Sequence, residues 1–188
     1  MPIKWIVFNG PPRSGKSSAA NWMRQAIHGI TAREQGRRIV VTDSFTAPMK
    51  HFIATALGEK YQDMDKDKMR PELLGRTARE FLIHLSEFYM KDRYGEDVFG
   101  RWLVYRNLRN IPLPDYVIID DGGFEIEAST LTKPRVVRMI RPGTDFTNDS
   151  RCYWGNPTIT IQNDGNHEHM YHQITTFTRQ ILSEDKLV

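Results

Sequence analysis

Gly10, Gly15, Lys16 and Ser17 stand in the spacing G-x-x-x-x-G-K-[ST]. Residue types in that order suit the holding of a nucleoside triphosphate, ATP or a close relative, together with Mg²⁺. The glycines let the backbone bend tightly around phosphate oxygens. Amides from about Arg13 and Ser14 to Ser18 can then point at the anion, aided by the positive end of a following helix. Lys16 is expected to reach the outer phosphates and the Ser17 hydroxyl to ligate the cation. Pro11 and Pro12 lack an N–H, but they precede the amides that do the cradling.

Completing a magnesium site takes a carboxylate, and the best candidates end the apolar run Tyr116 to Ile119. Asp120 or Asp121 is expected to hold Mg²⁺, directly or through water. Asp120-Asp121-Gly122-Gly123 also satisfies D-x-x-G, but the N-K-x-D of guanine-binding switch proteins occurs nowhere. Phosphoryl transfer further needs cations over the moving group and a pocket for the acceptor. Arg141 and Arg151 lie in a polar stretch, residues 141–157, that reads as a short lid. On the acceptor side the candidates are Asp43, Phe45 and Lys50, with Arg76 and Arg79 spaced i, i+3 on one long helix as a clamp for a monophosphate. Asp43 is placed either to act as a base or to bind a sugar hydroxyl.

The elements that must position these residues alternate. Lys4 to Phe8 reads as a strand, followed by the glycine loop and a helix from Lys16 to about Glu34. Arg38 to Thr42 is a second strand. A helix from Pro48 to Leu57, stopped by Gly58, and a charged connector from Glu59 to Pro71 follow. Apolar residues at Phe81, Leu82, Leu85, Phe88 and Tyr89 predict a helix from Thr77 to about Arg93 with those side chains on one buried face. A shorter helix is expected over Val98 to Leu108, a strand over Tyr116 to Ile119 and a helix near Glu125 to Leu131. Strands over Arg135 to Ile140 and Thr158 to Ile161 precede a final helix, capped by Asn166 and reaching about Leu182. This predicts one α/β domain over residues 1–188, a three-layer P-loop nucleotide-kinase fold. Its five-stranded parallel sheet has helices on both faces, and the acceptor region spans about 43–110.

Composition sets outer bounds. With 188 residues, 39% hydrophobic and 26% charged, the chain is of ordinary globular type and long enough to bury a sizeable core. No apolar run spans a bilayer, and the start reads as a strand in place of a signal peptide. One cysteine, Cys152, excludes an internal disulfide framework. A cytoplasmic protein is expected. Net charge is +3, and the cations are mainly arginine, 17 against 9 lysines, a bias that suits phosphate ligands.

With those segments placed, the chain resembles the bacteriophage deoxynucleoside monophosphate kinases and their P-loop relatives. The resemblance rests on Gly10 to Ser17, on Ser44-Phe45-Thr46-Ala47-Pro48-Met49-Lys50 and on Arg79 with its helix. It extends to Val136-Val137-Arg138-Met139-Ile140 running into Arg141-Pro142-Gly143, and to Asn163-Asp164-Gly165. It implies transfer of the ATP γ-phosphate to a deoxynucleoside monophosphate with Mg²⁺, in the cytoplasm of an infected host. A related activity, phosphorylation of a 5-hydroxymethylpyrimidine such as 5-hydroxymethyluracil in DNA, is the alternative. A non-enzymatic nucleotide-dependent binding module is a third reading. His167, His169 and His172 read as a solvated helix start. Trp102 and Tyr105, at helical spacing, are expected in the core.

Overall fold

β1 (Lys4–Asn9) is apolar on both faces because it lies in the middle of a sheet, with Ile6, Val7 and Phe8 fully buried. The computed structural model describes residues 2–34, 38–147 and 149–185, leaving aside the side chains of residues 33 and 34. Position 1, and position 148 inside the expected lid, are therefore outside the description. α1 (Lys16–Glu34) leaves the loop after β1 and returns the chain to β2 (Val40–Asp43). The other sheet strands are β5 (Tyr116–Gly122), β6 (Arg135–Ile140) and β7 (Ile159–Gln162). Their order is β2–β5–β1–β6–β7, and every neighbouring pair is parallel.

Period-two alternation divides the core into two. Ile6, Phe8 and Ile118 pack under α1 and under α7 (His167–Glu184), which contributes Ile174, Phe177 and Ile181. Trp5, Val7 and Ile119 pack on the opposite face against Met49 of α2 (Ala47–Leu57) and against Phe99 and Leu103 of α5 (Val98–Leu108). The fold is thus a three-layer α/β arrangement with a five-stranded parallel sheet, as the alternation of elements predicts. Among the described residues no helix is long and apolar enough to cross a membrane.

Three local departures matter for function. The charged connector contains a small hairpin of β3 (Met69–Arg70) and β4 (Arg76–Thr77), so Arg76 is a strand residue. The helix expected from Thr77 starts at α3 (Ala78–Ile83), with Thr77 and Glu80 forming a reciprocal capping box. Arg76 and Arg79 therefore do not share a helix face. From His84 to Lys91 the chain winds as a π-helix, ending in a last turn, α4 (Asp92–Tyr94). The wider π turn shifts the register of the face. Phe88 and Tyr89, expected to be buried, are 71% and 55% exposed, whereas Ser86, Met90 and Lys91 turn inward. Finally, β5 runs on to Gly122, so Asp120 and Asp121 are the last side chains of the strand, on opposite faces.

α6 (Glu125–Ala128) approaches α5 so closely that a Cβ on Gly100 would lie 2.1 Å from the Glu127 carbonyl oxygen and 2.5 Å from Thr130 Oγ1. Backbone cannot yield to that contact as a flexible side chain would. Gly100→Ala is expected to lower stability by about 1–3 kcal/mol, read from the midpoint of urea unfolding.

Candidate active site

The loop between β1 and α1 is shaped by contacts only glycine permits. A Cβ on Gly10 would stand 2.7 Å from the Met139 carbonyl oxygen. Gly15 has φ +96°, and a Cβ there would meet Asn163 Nδ2 at 2.6 Å. That amide donates to the Ser14 carbonyl at 3.0 Å, while the Asn163 N–H donates to Ile140 at 2.8 Å. The loop is thereby braced by the ends of β6 and β7. Ser14 is buried, and Ser17 and Ser18 are exposed at the first turn of α1.

Lys16 arches back over this loop, donating to Gly10 O at 2.7 Å and Pro11 O at 2.6 Å. Burial, helped by the nearby charge of Arg151, lowers its pKa to about 8. An anion held at the loop would favour the charged form that desolvation penalises.

The two aspartates have different work. Burial and the adjacent Asp121 raise the Asp120 carboxyl above its usual range, against a hydrogen bond from the Ser17 hydroxyl. Asp121 accepts from Phe45 N at 2.7 Å, Thr46 Oγ1 at 2.6 Å and Lys50 Nζ at 3.0 Å. Its burial works against ionisation, but Lys50 and these donors outweigh it and hold the carboxyl below the usual range. Asp121 thus secures the N-terminus of α2. Asp120 and Ser17 form an oxygen pair at the glycine loop, a donor set that could hold a hard divalent cation such as Mg²⁺. Among the described residues no group of three or more His, Cys, Asp or Glu side chains gathers around a metal position.

Arg151 reaches the same region. A Cβ on Gly123 would lie 2.4 Å from Arg151 Cδ, so Gly123 makes room for the arginine stem. The guanidinium pairs with Asp149, its Nε 2.7 Å from Oδ1. Arg141 sits further out, exposed, and donates to the Arg13 carbonyl at 3.0 Å. The stretch 141–157 is not free along its length. Asn9 donates to Cys152 O at 3.1 Å and accepts from Trp154 N at 3.1 Å, and the Trp154 ring is buried.

Beside Asp121 and Arg151 opens a cavity of about 500 Å³. Of the residues singled out from the sequence for the acceptor side, Lys50 and Arg79 line it, and Tyr61, Lys66, Phe124 and Glu127 line it as well. Three expected residues are elsewhere. Asp43 receives a two-pronged pair from Arg106 at 2.9 and 2.8 Å, a bond from Asn107 at 2.6 Å and its neighbour's amide at 2.7 Å. These bonds tie β2 to α5 through Asp43, which is not among the residues that line the cavity. Phe45 is fully buried beside Val7 and Ile119, so it has no face to offer a nucleobase. Arg76 borders a shallow surface groove with Phe88. Phe124, directly after the two glycines at the end of β5, is an aromatic side chain that lines the cavity in place of Phe45, along with Tyr61 and Phe99. Its position at the sheet's C-terminal edge was the signal for it.

Deeper in the cavity wall, Lys91 has 1% side-chain exposure and lies 3.1 Å from Glu87 and 3.3 Å from Glu127. Its ammonium rests over the Phe124 ring, 3.2 Å from the centroid. Burial, only partly opposed by Lys91, raises Glu127 to about 8. An acid whose folded pKa lies above its unfolded value holds a proton that the unfolded chain gives up. Its contribution to stability is therefore lost as pH rises from about 4.5 towards 8. Glu127→Gln removes that term. The variant is expected to lose less stability than the parent between pH 5 and pH 8, measured by urea unfolding at each pH.

Outside the cavity, Asn166 caps α7 by accepting from His169 N at 3.1 Å, and His169 Nδ1 lies 2.7 Å from Asp164 Oδ2. Tyr105, expected in the core, is 60% exposed under Arg109, and Trp102 is on the boundary at 36%. The inward positions of α5 go to Phe99, Leu103 and Asn107 instead. In comparisons with known proteins, no family model matches the chain, and no curated protein shows significant similarity to it.

Proposed function

We propose that this chain is a P-loop phosphotransferase that moves the γ-phosphate of ATP to a deoxynucleoside monophosphate. The observation that carries this reading is a convergence at one sheet edge. The glycine loop with Lys16, the Ser17–Asp120 pair and Arg151 adjoin a cavity of about 500 Å³ rimmed by Lys50, Lys66 and Arg79. That volume is in the range of small-molecule sites.

In this reading the loop amides and Lys16 hold the triphosphate. Ser17 and Asp120 would hold Mg²⁺, which supplies charge neutralisation on the β- and γ-phosphates. An oxygen of the acceptor monophosphate attacks the γ-phosphorus, forming the new P–O bond as the bond to the ADP oxygen breaks. Lys16 and Arg151 offset the charge on the transferring group. The attacking oxygen is already anionic near neutrality, so no base is required, in keeping with the occupied state of Asp43. Arg79, now 3.2 Å from Asp67, exchanges that exposed carboxylate for the acceptor phosphate. A cytoplasmic location goes with this reading.

Incubation with ATP, Mg²⁺ and each deoxynucleoside monophosphate should yield ADP and the matching diphosphate, resolved by ion-exchange chromatography. Arg79→Ala should raise the acceptor KM by about tenfold or more, with the KM for ATP little changed. Phosphorylation of hydroxymethylated DNA with all free monophosphates inert would assign the other acceptor. ATP binding without transfer to any acceptor would leave a binding module.

A further inference from the structure

Cations and carboxyl groups both line the acceptor cavity, and one helical stretch carries one of each. Arg79 opens α3, and Glu87 lies further along the same continuous helical stretch, on the π segment. Their separation along the axis is roughly 10–12 Å at helical rise. That spacing compares with the length of a mononucleotide from phosphorus to the far edge of its base. Between them in the lining stand Leu82 and Ile83, and from the facing segment Phe124, whose ring carries the Lys91 ammonium. A flat apolar body with an anionic end and a hydrogen-bonding end fits such a lining.

We propose that Glu87, positioned by Lys91, reads the base of the acceptor and selects one that bears an exocyclic amino group. This rests on the phosphotransferase reading above and extends it to the class of base. Glu87 has 24% side-chain exposure and lines the cavity, while Lys91 beneath it is almost fully enclosed. The ion pair fixes the carboxylate without covering it, and the fixed group is an acceptor only. Adenine, cytosine and guanine present amino hydrogens to such a group. Thymine presents a single ring N–H flanked on both sides by carbonyl oxygens, which a carboxylate repels. The proton retained by Glu127 leaves the Lys91 charge to Glu87 and provides one O–H donor to the same wall. A ring nitrogen next to the amino group, as in cytosine and adenine, can accept it.

The test measures binding of dAMP, dCMP, dGMP and dTMP by calorimetry, and their turnover with ATP, for the parent and for Glu87→Gln. The amide keeps the size of the side chain, Glu127 at 3.3 Å remains as the carboxyl neighbour of Lys91, and the unfolding midpoint checks that the variant is folded. The parent should bind its best amino-bearing nucleotide at least about tenfold tighter than dTMP. In Glu87→Gln that nucleotide should lose about 10- to 100-fold in affinity while dTMP changes little. Glu87→Asp, which keeps the charge, should retain part of the preference. The inference is overturned if dTMP binds as tightly as the best of the others, or if Glu87→Gln weakens all four equally. Both of those results leave phosphate transfer to a monophosphate standing. Failure of all four to bind or react overturns the phosphotransferase reading, and this inference with it.

Discussion

Lys16→Ala should abolish measurable phosphoryl transfer, lowering turnover by about 10²–10³-fold or more, while the protein stays folded. The lysine's hydrogen bonds go to the carbonyls of Gly10 and Pro11 and to the Ser14 hydroxyl. Those are groups of the loop itself, which β6 and β7 brace independently through Met139 and Asn163. Burial lowers its pKa, so the loop holds the ammonium against a desolvation cost. Removing it therefore subtracts charge where negative charge develops in the reaction, and little else. The check is steady-state turnover alongside circular dichroism and a thermal midpoint. Near-normal turnover in a folded Lys16→Ala protein would overturn the phosphotransferase reading.

The second large effect separates the neighbouring aspartates. Asp121→Asn takes from Lys50 its ion-pair partner at 3.0 Å in a half-buried setting, leaving Asp120 as the nearby carboxyl group. It also weakens the attachment of α2 to β5. A loss of about 1–3 kcal/mol in unfolding free energy is expected. Because the carboxyl is held below its usual pKa, its stabilisation is present above the unfolded value and disappears as pH falls through the folded one. The penalty of Asp121→Asn should thus be full at neutrality and fade in acid below about pH 4. Asp120→Asn should leave stability nearly unchanged, since its folded form disfavours the charge. In that variant the Mg²⁺ concentration for half-maximal turnover should rise instead. Titrations of urea and of Mg²⁺ on both variants measure the contrast. Equal Mg²⁺ dependence in both would remove Asp120 from the cation site.

Elements with a strong local period were legible before any coordinates. The bounds of Arg135–Ile140 and Val98–Leu108 agree with the structure, and Gly58 does close α2 in the left-handed conformation. The glycine loop was legible because its signal is local, four residue types at fixed spacing, even though Met139 and Asn163, which its glycines admit, come from far along the chain. The acceptor wall was not. The π segment keeps the composition of an α-helix while moving Lys91 inward, and no periodicity of 3.6 foretells that. Phe45 was misread because one aromatic after a strand looks the same whether it faces a ligand or the core. The surroundings of Asp43 were hidden for a related reason. Its partners, Arg106 and Asn107, arrive from a distant helix, and only the fold shows them occupying it.

The sheet order has a consequence for how the chain acquires any activity. β1 pairs with β5 and β6, Lys4 meeting Tyr116 and Ile6 meeting Arg135, so the strand that launches the glycine loop finds its neighbours only late in the sequence. Such pairings are slow to form, because long loops must close before any contact rewards them. On the ribosome, α1 and its loop emerge early but remain without their braces until Met139 and Asn163 have been made. A nascent chain arrested before β6 should therefore fail to retain nucleotide, and its unpaired β1 would stand exposed to chaperones or to other nascent chains.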